Sequence, residues 1–217
     1  MPHNLHKINL VQFCTRFHVY IHAYALLLGS RGLSLLQISA IESVVIASMF
    51  LMEIPTGVIA DRIGRKWSLV ACVFLMMCAE LLFLFSRDYA LYLVVAFLTG
   101  TGFAFSSGAT EALIYDSLPK DDREDKMKRA MGRYGSIGQL AFFISPLVGA
   151  WILGDLTAHR FDLAIAITVL MLGIGTVISL TIQEPATEWH ENRQSVVQIF
   201  RNGVSNIRQN RALQRLL

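Results

Sequence analysis

The stretch "GVIADRIGRK", residues 57–66, sets three cations, one acid and two glycines at the end of an apolar run. Upstream the chain reads "VVIASMFLMEIPT" (44–56), and downstream "WSLVACVFLMMCAELLFLF" (67–85). A helix advances 1.5 Å per residue, so about 20 mostly apolar residues cross the hydrocarbon core of a bilayer. The two flanks have that length and character. The charged knot between them reads as a hairpin held in water between two membrane spans.

The same pattern repeats along the chain. Apolar blocks fall at 8–29, 36–60, 67–85, 90–118, 131–153 and 163–182. They are too long for strands, and none alternates polar with apolar as a barrel strand does. Composition agrees: 54% of the 217 residues are hydrophobic and only 16% are charged, against about a quarter charged in soluble domains. The expected fold is therefore all-α, a polytopic membrane protein with six transmembrane helices. The first block is not a cleavable signal, because Arg16, His18 and His22 interrupt it and no small-residue cleavage site follows.

The loops alternate in charge. Those at 29–37, 86–89 and 154–162 hold three cations, Arg31, Arg87 and Arg160. The opposite side collects fifteen, from Lys7 through the 57–66 hairpin and the run 120–133 to the arginines after residue 185. Basic loops stay in the cytoplasm, so both termini are expected there, in a cell (inner or plasma) membrane. The net charge of +3 then reflects topology, and no nucleic-acid partner is expected. After Pro185, Val196, Phe200, Val204 and Ile207 fall at helical spacing among arginines. That pattern suggests a surface-lying amphipathic helix. The expected organisation is a bundle over 1–183 and a linker over 184–217 whose closing "RALQRLL" opens a possible seventh helix.

Ionisable side chains at bilayer depth cost a few kcal/mol each on insertion scales, about 2.5–3.5, which makes each a functional candidate. They are Arg16, His18 and His22 in the first block, Glu42 and Glu53 in the second, Glu80 in the third and Glu111 in the fourth. Arg16, Glu53 and Glu111 lie at similar depth, about 7–8 residues from their helix ends. Tyr20, four residues after Arg16, is expected to face the same way on a continuous helix. Glu53 precedes Pro55, where a lost helix hydrogen bond frees carbonyls for polar neighbours. Glu42 and Glu80 are expected to serve as interface or packing residues. His18 and His22 have a metal-compatible spacing without a third ligand, so no metal is expected. Cys14, Cys72 and Cys78 sit in apolar blocks and read as buried thiols. The chain carries no phosphate-binding loop and no nucleophile–base set. Catalysis is not expected, and neither is a cofactor.

The pattern Gly57-x-x-x-Asp61-Arg62-x-Gly64-Arg65-Lys66, between the second and third spans, resembles the signature of the major facilitator superfamily of secondary transporters. The contexts "EIPTGVIADRIGRK" and "SGATEALIYDSLP" are similar to bacterial efflux-type members. The resemblance implies the amino-terminal half of a twelve-helix fold, built as two three-helix inverted repeats. It implies that the first and fourth spans line a central cavity, which makes Arg16 and Glu111 a candidate pair there, with Tyr20 and Glu53. It also implies that Asp61 meets a helix N-terminus in the other half of the transporter. Within the chain, Arg65 is expected to pair with Asp116, with Arg133 near that level. Gly57 is expected to permit close helix packing, and Gly64 to permit the reversal.

The fifth block, "GRYGSIGQLAFFISPLVGA" (132–150), resembles a degenerate form of the family's antiporter motif through Gly132, Ala141, Ser145, Pro146, Gly149 and Ala150. The implied function is proton-coupled efflux of a small molecule, driven by an ion gradient. Its partners would be the bilayer, the substrate and either a complementary half or a second copy. An uptake carrier, or a half-fold scaffold or sensor, is the alternative.

Overall fold

The computed structural model describes residues 2–154 and 157–185. Eight α-helices follow in order: α1 Pro2–Arg16, α2 Tyr24–Ser30, α3 Leu35–Ile63, α4 Arg65–Phe85, α5 Tyr89–Ser106, α6 Ala109–Asp116, α7 Arg123–Ile152 and α8 Ala158–Leu180. A short 3-10 turn, Ile21–Ala23, precedes α2. Among the described residues there is no strand. The amphipathic helix and the seventh-helix opening expected after Pro185 lie outside the described residues.

Among the described residues, five stretches are long and apolar enough to cross a bilayer: α3, α4, α5 with α6, α7 and α8. The chain is an all-α, multi-pass membrane protein. The expectation of six uninterrupted helices needs correcting in the first block, where α1 ends at Arg16. The local cause is visible in the hydrogen bonds. In a continuing helix the Thr15 carbonyl would accept from the amide of Val19. Instead it accepts from the His18 ring at 3.0 Å, and the Val19 amide donates to Thr168 Oγ1 of α8 at 3.3 Å. The fourth block is also interrupted, between α5 and α6 at residues 107–108.

α3 starts on a capping box: Ser34 Oγ accepts from the Gln37 amide at 3.3 Å, and Gln37 Oε1 accepts from the Ser34 amide at 2.9 Å. It ends after 29 residues at Gly64, whose φ of +100° few other residues adopt. α4 begins at the next residue, so the reversal between the two spans turns on Gly64 alone. Large apolar side chains cover the outside, with Phe50, Leu36 and Trp151 at 75%, 81% and 84% exposure. That is the surface of a bundle whose outer solvent is lipid.

Inside, α3 packs on α5, α5 on α4, α4 on α8, α8 on α1 and α1 on α7. One apolar cluster gathers Val19, Leu28, Phe83, Tyr92 and Phe161 at the end opposite the 57–66 hairpin. The other gathers Ile8, Val73, Leu113 and Leu172 nearer that hairpin. Lipid tails give helices no hydrophobic reason to associate, so contact relies on close approach and polar links. The three cations of the sparse side supply such links. Arg31 and Arg87 both reach Asp162, at 3.4 and 3.8 Å, and Arg160 donates to the Ile152 carbonyl at 3.0 Å.

Candidate functional site

The signature hairpin is tied down by α6 and by the segment just past α8. Arg65 donates to the Ala112 carbonyl at 3.2 Å and forms an ion pair with Asp116, so α4 is pinned to α6 as expected. The N-terminus of α4 leaves backbone N–H groups without helical partners. The carboxylate of Glu184, just past α8, accepts from the amides of Arg65 at 2.8 Å and Lys66 at 3.0 Å. An anion at the positive end of the helix dipole adds to that bond. A Cβ on Gly64 would stand 2.9 Å from this carboxylate, so a larger residue would have to displace the Glu184 cap as well as adopt the +100° backbone angle. Sequence reasoning missed Glu184. The only signal was an acid beside Pro185 at the close of the last span, which fell within the segment read as linker.

Asp61 and Arg62 are exposed, and among the described residues Asp61 has no ion-pair partner. Gly57 departs from its expected role: a Cβ there would meet nothing within 4 Å, so no helix of the described bundle presses on it. Arg133 lies on the wall of a cavity of about 320 Å³ between α1, α6 and α7, together with Lys126 and Arg129. His6 and Asn9 form part of the opposite wall.

Deeper in the bundle, the structure brings Arg16 and Glu111 to one neighbourhood without joining them. Both side chains are exposed, and both act electrostatically on Tyr134 of α7, which lies between their helices. No ion pair links them among the described residues. The stem of Arg16 runs past Gly138, where a Cβ would lie 3.5 Å from Arg16 Cγ and 2.6 Å from Gln12 Nε2. Glu53 accepts from Ser107 at the α5–α6 break, at 3.3 Å, and is exposed as well. Arg16, Glu53 and Glu111 are thus each exposed, the first and last in the neighbourhood of Tyr134 and Glu53 beside Ser107.

Tyr20 does not join them, because the end of α1 at Arg16 breaks the assumed i, i+4 relation. It is 3% exposed and donates to Glu80 Oε2 of α4 at 2.5 Å. Glu80, expected to be an interface or packing residue, is instead the centre of a half-buried polar group, with His18 Nδ1 at 3.5 Å from Oε1. His22 turns away and packs its ring against Phe142 at 5.0 Å, so the two histidines do not converge on a metal. No metal-competent group of three occurs among the described residues. Glu42 is exposed on α3.

The antiporter-like series divides by face. Ala141, Ser145 and Gly149 are buried in a row with Gly138, whereas Gly132 and Ala150 are exposed. A Cβ on Gly149 would sit 2.2 Å from the Val19 carbonyl oxygen. This row therefore gives the interrupted first block the room it occupies. Pro146 lies within the helix that carries it.

The family model described as the Major Facilitator Superfamily matches residues 8–216. Among curated proteins, the chloramphenicol resistance protein CraA of Acinetobacter baumannii is 28% identical over 119 residues, 55% of this chain and 28% of that protein. Among solved structures, a variant of the peptide transporter POT in complex with sulfate overlays with a TM-score of 0.68 at 18% identity. The overlay covers 94% of this chain and 43% of that one. The human organic anion transporter MFSD10 (TETRAN) overlays with a TM-score of 0.68 at 15% identity, over 93% of this chain and 51% of that one. The chain thus spans about half the length of these solved transporters, and a smaller share of the curated relative.

Proposed function

The chain belongs to the Major Facilitator Superfamily, and from that premise we propose that it forms one half of a proton-coupled carrier extruding a small organic molecule. The observation that carries the reading is that Arg16, Glu53 and Glu111, all within apolar blocks, are exposed and form no ion pair among the described residues. Charges at bilayer depth are expensive and are retained where they line a water-filled cavity. A carboxylate held near a cation there can exchange a proton for a substrate, since the cation favours its charged form and burial its neutral form. The complementary wall would come from a second half, and Asp61 and Gly57, uncovered in this bundle, would meet it. The fifteen-to-three distribution of cations supports a cytoplasmic location for the hairpin end. The membrane would be the cell's inner or plasma membrane.

Chloramphenicol is the first molecule to try, because CraA is named for resistance to it. Everted membrane vesicles from cells expressing the chain together with its complementary half, acidified inside, should accumulate labelled chloramphenicol and release it when a protonophore is added. Vesicles that accumulate no more than those of vector-only cells would overturn the extrusion reading. Accumulation indifferent to the protonophore would overturn proton coupling alone.

A further inference from the structure

We infer that His18 and Glu80 together hold one proton, separate from the cavity acids, and that this proton fixes the interruption of the first membrane block. The argument starts from the His18 ring. Its Nε2 lies 3.0 Å from the Thr15 carbonyl oxygen. A carbonyl only accepts, so Nε2 carries a hydrogen. In a neutral imidazole the other nitrogen, Nδ1, then bears a lone pair. That atom is buried and makes no hydrogen bond, and Glu80 Oε1 is 3.5 Å away. Two lone-pair acceptors do not rest against each other at that distance in a desolvated site. One proton must lie between them, on Nδ1 as an imidazolium–carboxylate pair or on Oε1 as a carboxylic acid facing the imine nitrogen.

The remaining surroundings fit a single bound proton. Tyr20 satisfies the second carboxyl oxygen by donating to Oε2 at 2.5 Å. Titratable or charged groups that act on the adjoining Tyr20 and Tyr24 include Arg31 just after α2, Glu42 from α3 and Tyr92 from α5. Arg31 is occupied by Asp162 of α8, at 3.4 Å, and its guanidinium lies over the Phe83 ring at 5.2 Å. Neither Arg31 nor the tyrosines can replace the proton between Nδ1 and Oε1. The His18 and Glu80 side chains are 17% and 15% exposed, so the site keeps a narrow route to water.

The same ring explains why the proton has structural reach. Its Nε2 occupies the Thr15 carbonyl that a continuous helix would give to the Val19 amide, and the displaced amide is taken by Thr168. When the proton leaves to water, Nδ1 and Oε1 repel, and the ring loses the contact that orients it. The Thr15 carbonyl then becomes available to Val19, so the interruption and the proton share one equilibrium.

The test is solid-state NMR of the chain in lipid, with 15N-labelled histidine and an assigned Val19 amide, recorded between pH 5.5 and 8.5. The His18 signals are identified by their loss in His18→Gln. In the native chain the Nδ1 signal and the Val19 amide should change together across one transition. In Glu80→Gln the side-chain amide donates permanently to Nδ1, so both signals should stay constant over the whole range. Tyr20→Phe, which leaves both partners in place, should keep the joint transition at a displaced midpoint. The inference is overturned if the joint transition persists in Glu80→Gln, or if Nδ1 titrates in the native chain while Val19 stays still. Neither readout uses transport, so a failure of the extrusion reading leaves this result intact.

Discussion

Glu184 closes the N-terminus of α4 through the amide of Arg65, at 2.8 Å, across more than a hundred residues of sequence. Because the same carboxylate also takes the Lys66 amide, the end of the last described span and the signature hairpin form a single unit. Side-chain caps of this kind are worth about 0.5–2 kcal/mol, and the negative charge at a helix start adds about 0.3–1 kcal/mol. Glu184→Ala should therefore lower stability by about 1–2 kcal/mol. Glu184→Gln, which retains an acceptor without the charge, should lose less. Unfolding in mixed micelles measures the difference. Faster hydrogen exchange at Arg65 and Lys66 in Glu184→Ala should locate the effect at the helix start.

The Arg65–Asp116 pair is half-buried and shares its cation with the Ala112 carbonyl. Removing either partner strands the other in a poorly hydrated site, so the two losses should not add. A double-mutant cycle with Arg65→Ala and Asp116→Ala is expected to give a coupling of about 1 kcal/mol, within the range for contacting residues. Arg62→Ala, at an exposed position with no ion pair among the described residues, serves as the control and should not couple to Asp116→Ala.

Much of this architecture is legible from residues alone. The hydropathy blocks locate every long helix to within a few positions, except that α7 begins eight residues earlier, at Arg123, because its basic first turns extend the helix out of the apolar block. The signature also places Arg65 against Asp116 correctly. What escapes are the two interruptions. "RFHVYIHAY" has neither proline nor glycine and reads as continuous helix. Its end is decided by Thr168 taking the Val19 amide and by Gly149 making room for the Val19 carbonyl, both far away in sequence. Once the helix is assumed continuous, Tyr20 is assigned to the Arg16 face and Glu80 to interface or packing. One wrong local assumption thus hides a whole polar cluster.

The close approach of α7 gives a sharp contrast between two glycines of one motif. Gly149→Ala puts a methyl group where the Val19 carbonyl oxygen already stands, at 2.2 Å. Overpacking of this kind costs about 1–3 kcal/mol. Gly132→Ala meets nothing within 4 Å and should be neutral, or slightly stabilising through helix propensity. Paired thermal unfolding curves check both, and equal effects would show that the row on α7 does not support the interruption.

Membrane orientation has a direct readout. Alkaline phosphatase, active only outside the cytoplasm, should be active when fused after Arg87 or Gly154 and inactive when fused after Ile63 or Lys120. The expectation rests on the cation distribution and the topology rule. Activity after Ile63 would place the hairpin outside and reverse the proposed direction of transport.

Glu111 yields the prediction closest to function. Glu111 forms no ion pair among the described residues, and the proposed extrusion needs a carboxylate open to a proton or a ligand. Glu111→Gln keeps the shape and removes the exchangeable charge. Gradient-driven accumulation of chloramphenicol in everted vesicles should be largely lost. Exchange of labelled for unlabelled drug without a gradient should survive, because it needs the binding wall and not a net proton. Glu53→Gln should have a smaller effect, since Gln retains an oxygen for the Ser107 hydroxyl, which donates to Glu53 at 3.3 Å. If Glu111→Gln abolishes exchange and accumulation alike, the carboxylate binds the drug. If it changes neither, proton coupling must be sought at another carboxylate.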